Sequence, residues 1–182
     1  MDMLVAHQRA QDTFSGVLAS VQPYQFNAPT PCREWTVRDV IEHVIGGNER
    51  VAIRAGLCSE PAARPQDLIE AHQATAAAAQ AVFAAPGGMT AMFELPIGPM
   101  PGSAFIRMRI TDALVHAWDL AKATGQSTDL DPELAAQVLA ASRQHMTAAL
   151  RGTGKFFGEP QPCDPARPPA DQLAAFLGRP VS

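Results

Sequence analysis

The chain has 182 residues, with 14 Lys and Arg against 18 Asp and Glu and a formal net charge of -4 at pH 7. This charge excludes a nucleic-acid surface, because no cluster of basic residues is present to neutralise phosphates. The length suits a single domain covering residues 1–182, and 47% hydrophobic but only 6% aromatic residues predict a helical protein packed through small side chains.

The sequence carries no sign of export or membrane insertion. No apolar run reaches the length that spans a bilayer, and the N-terminal stretch MDMLVAHQRAQD lacks the basic start and apolar centre of a signal peptide. We therefore expect a cytoplasmic protein. Cys32, Cys58 and Cys163 are an odd number of cysteines without a CxxC motif, which predicts reduced thiols.

The spacing of apolar residues and the positions of proline and glycine predict five helices and a short closing helix. They cover residues 2–21, 36–47, 67–85, 103–125, 131–150 and 171–177. Residues 48–57 are expected to continue as helix, and 59–65 form a linker. A hairpin or an extended crossover is expected over 89–105. Residues 155–182 form a proline-rich tail that contains the closing helix.

The second helix has clear start and stop signals. Thr36 is the expected N-cap, with Asp39 near the first-turn amides, and the Gly46-Gly47 pair is the expected stop. Cys32 precedes this helix. It is interpreted as a small buried hydrophobe, and an approach to a site at the helix remains the alternative.

The predicted helix over 103–125 carries most of the candidate site residues. Ser103 is its expected cap, and Gly125 can adopt the left-handed conformation just past its end. Asp112 and His116 are four residues apart, so their side chains share one face of the helix, and Asp119 follows on the same stripe. Apolar residues surround most of the helix, which predicts a central position in the bundle.

A carboxylate and an imidazole one helical turn apart can bind the same divalent cation. His43, among apolar residues of the second helix, is available as a third ligand. Our hypothesis is that His43, Asp112 and His116 hold one metal. The alternative is that Arg109, one turn before Asp112, compensates the carboxylate and that the histidines are structural.

The remaining histidines of the first three helices are given no chemical role. His7 is interpreted as structural or exposed. His72 lies among polar residues in an alanine-rich helix and is expected to be solvated.

Two motifs, PTPCREWTVRDVIEHVIGG and DALVHAWDLAKATG, together resemble the metal-binding, DinB-like domain of mycothiol-dependent maleylpyruvate isomerase and its relatives. The resemblance extends over nearly the whole chain. It implies an all-α fold, a DinB-like four-helix bundle with up-down-down-up connection, here with a short extra helix and the proline-rich tail.

The resemblance also implies a divalent metal, zinc in most relatives and nickel as the alternative, with ligands that fall on His43, Asp112 and His116. The isomerase has Glu at the position of Asp112. It also has a second, C-terminal domain that contributes to its active site and that a chain of this length is expected to lack. Isomerisation of maleylpyruvate is therefore not inferred.

Three protein ligands leave an open coordination position, as in catalytic zinc sites. The leading functional hypothesis, supported by the resemblance, is a transferase or isomerase that uses a metal-bound thiolate of mycothiol or a similar small thiol against a small electrophile. Asp119 could orient a ligand or accept a proton, and a helix salt bridge is the alternative.

Two rival hypotheses for the function are a hydrolase that uses metal-bound water and a non-catalytic metal-binding or stress-response module. We expect a small-molecule substrate and no nucleic-acid or membrane partner. A homodimer through an exposed helix face is left open.

Overall fold

The structure is a computed structural model that describes residues 1–32, 34–56, 63–146, 151 and 157–181. Six α-helices and one short antiparallel hairpin lie within these residues. The helices are α1 (Met3–Leu18), α2 (Val37–Arg54), α3 (Leu68–Ala84), α4 (Gly102–Thr124), α5 (Pro132–His145) and α6 (Pro169–Phe176). The hairpin strands are β1 (Met92–Phe93) and β2 (Met100–Pro101), and a 3₁₀ turn covers Pro23–Gln25. The mostly helical prediction is confirmed, and of the two alternatives for 89–105, a hairpin or an extended crossover, the structure has the hairpin.

The four longest helices form a bundle in which α1 and α2 each pack against both α3 and α4. Its apolar core consists of two large clusters, one containing Phe83 and Phe105 and the other containing Phe14 and Ile41. A third cluster lies between α4 and α6, where Trp118 packs on the closing helix. Helix α6 therefore covers the outer side of α4, and α5 packs against both.

The sequence placed the end of α4 correctly and its start incorrectly. Gly125 follows the helix with φ of 73°, in the left-handed region where glycine has no steric penalty. The expected Ser103 cap is wrong, because the helix begins at Gly102 without a side-chain cap. The amides of Gly102 and Ser103 instead donate to the carbonyls of Ala91 and Met89, at 2.9 and 2.8 Å. Carbonyls of the preceding hairpin segment thus satisfy amides that a side-chain cap would otherwise serve.

Helix α2 starts as predicted but does not stop where predicted. Thr36 caps it, since the Thr36 hydroxyl accepts from the Asp39 amide at 3.3 Å and Asp39 accepts from the Thr36 amide at 2.9 Å. The helix then runs through Gly46 and Gly47, both buried, to Arg54. A Cβ on Gly47 would overlap the guanidinium of Arg109, so this glycine allows close approach of α4 and does not end the helix.

The prediction for His72 is also wrong, because its side chain is fully buried and not solvated. Its Nδ1 lies 2.9 Å from the Ser15 hydroxyl, and its Nε2–H donates to Oε1 of Gln11 at 2.9 Å. Both partners are on α1, and the alanine-rich sequence around His72 gives no sign of them. His7 is also fully buried, as the structural interpretation of this residue requires.

These histidines belong to a polar layer inside the bundle. Gln11 and Asn48 exchange two side-chain hydrogen bonds, at 3.1 and 3.2 Å. Gln11 also lies 3.3 Å from Nε2 of His7, whose Nδ1 lies 2.6 Å from Oε1 of Gln80. Because each ring nitrogen has one suitable partner, the network is satisfied with both imidazoles neutral. Burial lowers the pKa of His7 and of His72 to about 4.

The later elements agree with the predictions where the structure describes them. Asp131 caps α5 by accepting from the Leu134 amide at 3.2 Å. The closing helix is present at Pro169–Phe176. The predicted continuation of α5 over 147–150, most of the linker and Cys58 lie outside the described residues. None of the helices in the described part of the chain is long and apolar enough to cross a bilayer.

The two neighbouring glycines of α2 give a direct test of this packing. Gly47→Ala should destabilise the protein by about 1–3 kcal/mol, because the new methyl group overlaps Arg109. Gly46→Ala is the control, because its Cβ would lie 3.4 Å from Nη1 of Arg50, at ordinary contact distance. That substitution should be neutral or stabilising by up to about 1 kcal/mol, since alanine favours the helix. Urea unfolding measures both, and equal effects would contradict the packing of Arg109 on Gly47.

The buried histidines predict a loss of stability as the pH falls from 6.5 towards 4. Their pKa values are lower in the folded than in the unfolded chain, so the unfolded chain binds more protons in this range. The slope should approach, as an upper limit, about 1.4 kcal/mol per pH unit for each histidine. Urea unfolding with a chelator present should show a flatter slope for the double variant His7→Gln, His72→Gln. His145→Gln, at an exposed position, should keep the wild-type slope; an unchanged slope in the double variant would refute this assignment.

Candidate metal centre

The structure brings His43, Asp112 and His116 together across the contact between α2 and α4. Oδ1 of Asp112 lies 3.2 Å from Nε2 of His43 and 3.5 Å from Nε2 of His116. One nitrogen or oxygen atom from each residue lies within 4.8 Å of the other two. The three side chains that the sequence singled out therefore present two imidazole nitrogens and one carboxylate oxygen to a common point.

The spacing of these atoms suits a small divalent cation. Zinc binds nitrogen and oxygen at about 2.0–2.2 Å in a tetrahedron, which places neighbouring ligand atoms about 3.4 Å apart. The distances of 3.2 and 3.5 Å between Asp112 and the two histidines are close to this value. Two imidazoles and one carboxylate are also a donor set that catalytic zinc sites use. The residues present thus fit the metal.

His116 is held in one orientation from behind. Its Nδ1–H donates to Oδ2 of Asp119 at 3.0 Å, which leaves the lone pair of Nε2 directed to the Asp112 side. Asp119 in turn accepts from Arg179, at 3.0 Å from Nη2 to Oδ2 and 3.3 Å from Nε to Oδ1. The Asp119 side chain is completely buried. Asp119 therefore acts through His116, and both of its oxygens are engaged.

The two sides of the site differ in exposure. The side chains of His43 and Asp112 are 30% and 21% exposed, whereas His116 is 6% exposed. Solvent and a small ligand therefore reach the site from the His43 and Asp112 side.

The loop before α2 places an aromatic ring on the two histidines. The ring centre of Trp35 lies 4.6 Å from that of His43 and 5.6 Å from that of His116. The loop is fixed by the amide and the hydroxyl of Thr30, which both donate to the carbonyl of Trp35. Trp35 thus limits the movement of both imidazoles, a role beyond the packing that a tryptophan at a helix start suggests.

The alternative partner of Asp112 is present as well. Nη1 of Arg109 donates to Oδ2 of Asp112 at 2.8 Å, on the carboxylate oxygen that does not face the histidines. Burial alone would raise the pKa of Asp112, but Arg109 and His116 hold it well below its ordinary value. Asp112 is therefore ionised at neutral pH and keeps Oδ1 for the histidine side. The Arg109 pairing and the metal hypothesis are compatible.

The charge on the carboxylates also acts on His116. Burial by itself would lower the pKa of this histidine, whereas Asp112 and Asp119 raise it above its ordinary value. A cation and a proton compete for Nε2, because only the neutral ring offers a lone pair there.

Cys32 also lies near His116 and Asp119. Its sulfur lies within 4.8 Å of ligand atoms of His116 and Asp119. The side chain is partly buried and packs against the second apolar cluster, so Cys32 combines hydrophobic packing with an approach to the site. This second group suits a metal less well, because both Asp119 oxygens already accept hydrogen bonds. Burial raises the pKa of the Cys32 thiol to about 11, so the thiol stays protonated. Cys163 is also a free thiol and lies in the tail.

Sequence reasoning missed Arg179. It is 60 residues from Asp119 in the chain, 8% exposed, and follows the closing helix. No motif or spacing connects the two residues, and only the docking of the tail on α4 brings them together.

The Arg179 contact predicts that the tail supports metal binding. Arg179→Met should weaken zinc binding by about 10–100-fold, because Asp119 loses the partner that holds it against His116. Arg167→Met is the matched control, since it removes the ion pair of Arg167 with Asp171 at 3.1 Å in the same tail. Competition titration with a fluorescent zinc chelator gives both affinities. Equal affinities of the two variants would show that the Asp119 contact with Arg179 has no role in orienting His116.

Two uncharacterized proteins of Mycobacterium tuberculosis, from strains CDC 1551 / Oshkosh and ATCC 25618 / H37Rv, are each 61% identical to the chain over 181 residues, which covers 100% of both chains. No solved structure matches the chain.

A family model described as the mycothiol maleylpyruvate isomerase N-terminal domain matches residues 7–121. The matched region contains His43, Asp112, His116 and Asp119, whereas Arg179 lies outside it. By this match the chain belongs to the mycothiol maleylpyruvate isomerase N-terminal domain family.

Proposed function

We propose that the protein binds one divalent metal ion through His43, Asp112 and His116, with zinc as the first choice and nickel as the second. The observation that carries this proposal is the convergence of the three side chains, with Asp112 Oδ1 at 3.2 and 3.5 Å from the two Nε2 atoms. Membership of a family named for an isomerase that uses mycothiol supports it.

We further propose that the bound metal serves a transfer or isomerisation that depends on mycothiol or a similar small thiol, with a small electrophile as substrate. A divalent cation in this position would lower the pKa of a thiol or a water molecule at its open coordination position. The exposed His43 and Asp112 side of the site gives a small thiol access.

The chain's own residues have positioning roles in this proposal. Asp119 holds the Nδ1 proton of His116 and so keeps Nε2 available as a ligand. Because Asp119 is buried and both of its oxygens are engaged, we assign it orientation of His116 and not acceptance of a substrate proton. Trp35 restricts both histidine rings and covers one side of the space that a substrate would use.

The DinB-like connection of the helices is part of the same proposal. The arrangement of α1 and α2, each packed against both α3 and α4, supports an up-down-down-up bundle. The single domain over 1–182, the cytoplasmic location and the homodimer remain predictions.

Metal content is the first test. Protein purified without chelators or metal affinity resin should contain about one zinc or nickel per chain, and His43→Ala and His116→Ala should each lower the content at least tenfold, since two ligands alone form a weak site. His145→Ala, at an exposed histidine of α5, should keep the wild-type content. Wild-type protein that holds no metal and takes up none on titration would refute the proposal.

Assays of the metal-loaded protein with and without thiol then distinguish the three functional hypotheses. Products that form only with both metal and a small thiol support the thiol-dependent reaction. Products that form with metal and no thiol identify a hydrolase and overturn the thiol assignment. Metal that raises the melting temperature without any turnover across a panel of thiols and electrophiles indicates a binding module and overturns the enzymatic assignment.

A further inference from the structure

The two oxygens of the Asp112 carboxylate face different partners. Oδ1 faces Nε2 of His43 and of His116, where the proposed metal would bind, and Oδ2 accepts from Nη1 of Arg109 at 2.8 Å. A guanidinium keeps its positive charge at any relevant pH. The carboxylate is therefore paired with one permanent cation whether or not a metal is present.

Arg109 cannot move away from this position easily. Its Nη2 donates to the carbonyl of Val44 at 3.2 Å and to Oδ1 of Asn48 at 3.0 Å. The guanidinium lies against the backbone of α2 at Gly47, in space that a Cβ would fill. Asn48 is fixed in turn by its two hydrogen bonds with Gln11 of α1.

The position of Arg109 has a cost that points to a role. The residue is 4% exposed, and among the described residues its Nε has no hydrogen-bond partner. A buried cation with one unsatisfied N–H is unfavourable unless a nearby anion offsets it. Asp112 is the carboxylate that forms an ion pair with it, at 2.8 Å.

We infer that Arg109 is a built-in counter-cation that opposes the metal at Asp112, so that the site exchanges its metal and the bundle stays folded without it. The inference rests on the proposed metal site. The carboxylate has a partner in the metal-free protein, so loss of the metal leaves no unpaired charge in the interior. When a divalent ion binds Oδ1, it lies near a positive charge that shares the same carboxylate, and the repulsion weakens binding.

If Arg109 only held Asp112 in place, its removal would weaken metal binding and not strengthen it. A neutral hydrogen-bond donor behind a metal ligand fixes the ligand, and its loss weakens metal binding. Arg109 brings a full positive charge in addition to the hydrogen bond, and the side chains of Arg109, Asp112 and His116 are 5%, 21% and 6% exposed. Charge and geometry can be separated by substitution, because lysine keeps the charge without the fork of donors and methionine keeps a long apolar stem without the charge.

The test measures zinc affinity by competition titration and melting temperature with zinc or with chelator, for wild type, Arg109→Met and Arg109→Lys. Arg109→Met should bind zinc at least about tenfold more tightly than wild type. Relative to wild type, the substitution should lower the melting temperature more in chelator than in zinc. Arg109→Lys should stay within about threefold of wild type, because the opposing charge remains.

If Arg109→Met does not fold without zinc but folds with it, the inference is supported. If it folds in neither state, Asn48→Asp gives the answer, because it places a carboxylate on Nη2 of Arg109 at an isosteric position. That variant should also bind zinc at least about tenfold more tightly.

Weaker or unchanged zinc binding by Arg109→Met, or by Asn48→Asp where the first variant does not fold, would overturn the inference and leave the metal site intact. Wild-type protein that binds no zinc would instead overturn the proposed function itself. The two failures are therefore distinguishable by the wild-type titration.

Discussion

The carboxylate of Asp112 is the group on which the rest of the structure depends. It sits at the contact of α2 and α4, where an ionised carboxylate without partners is strongly unfavourable. The structure surrounds it with one guanidinium and two imidazoles, all within 3.5 Å. The metal hypothesis and the ion-pair alternative describe opposite oxygens of one carboxylate, and the geometry accommodates both.

The requirement to hold Arg109 beside Asp112 extends through the bundle. Arg109 needs the bare backbone at Gly47, the amide oxygen of Asn48 and, through Asn48, the amide of Gln11. Gln11 then accepts from Nε2–H of His72 and needs the neutral form of His7, whose Nε2 accepts from its side-chain amide at 3.3 Å. All four long helices thus contribute to one polar layer, which a bundle with a purely apolar core would not need. Polar groups so connected fix the register of the helices, because a shift of one helix would break several hydrogen bonds.

The sequence predicted what is encoded locally. Thr36, Asp131 and Gly125 have side-chain or backbone properties that fix a helix end within a few residues, and each does so. The spacing of Asp112 and His116 fixes their shared face, and the apolar surroundings of His43 in the second helix indicated it as the third residue, as the resemblance also implied. Features set by distant contacts were not predicted. A Gly-Gly pair such as Gly46-Gly47 is typical of a helix end. Here Gly47 lies inside α2, where the missing side chain leaves space for the guanidinium of Arg109, 62 positions later in the chain.

The predictions for His72 and Ser103 are wrong for the same reason, because contacts with other elements override the local preference. His72 sits among polar and alanine residues, which is typical of a solvated face, and its partners Ser15 and Gln11 come from another helix. Ser103 is a good cap by type, but the hairpin places carbonyls at the same amides. Local rules give the preference of a residue in the absence of competitors, and tertiary contacts decide whether a competitor is present.

The tail contacts the proposed metal site from outside the matched family region. The match to residues 7–121 includes the three proposed ligands and Asp119, and Arg179 lies beyond it. Asp119 needs a cation because it is completely buried, and Arg179 is the cation that the described tail provides. The proposed metal site thus includes a supporting contact that lies outside the matched region. The two arginines pair with different carboxylates: Arg109 contacts the proposed ligand Asp112 directly, whereas Arg179 pairs with Asp119, which in turn contacts His116.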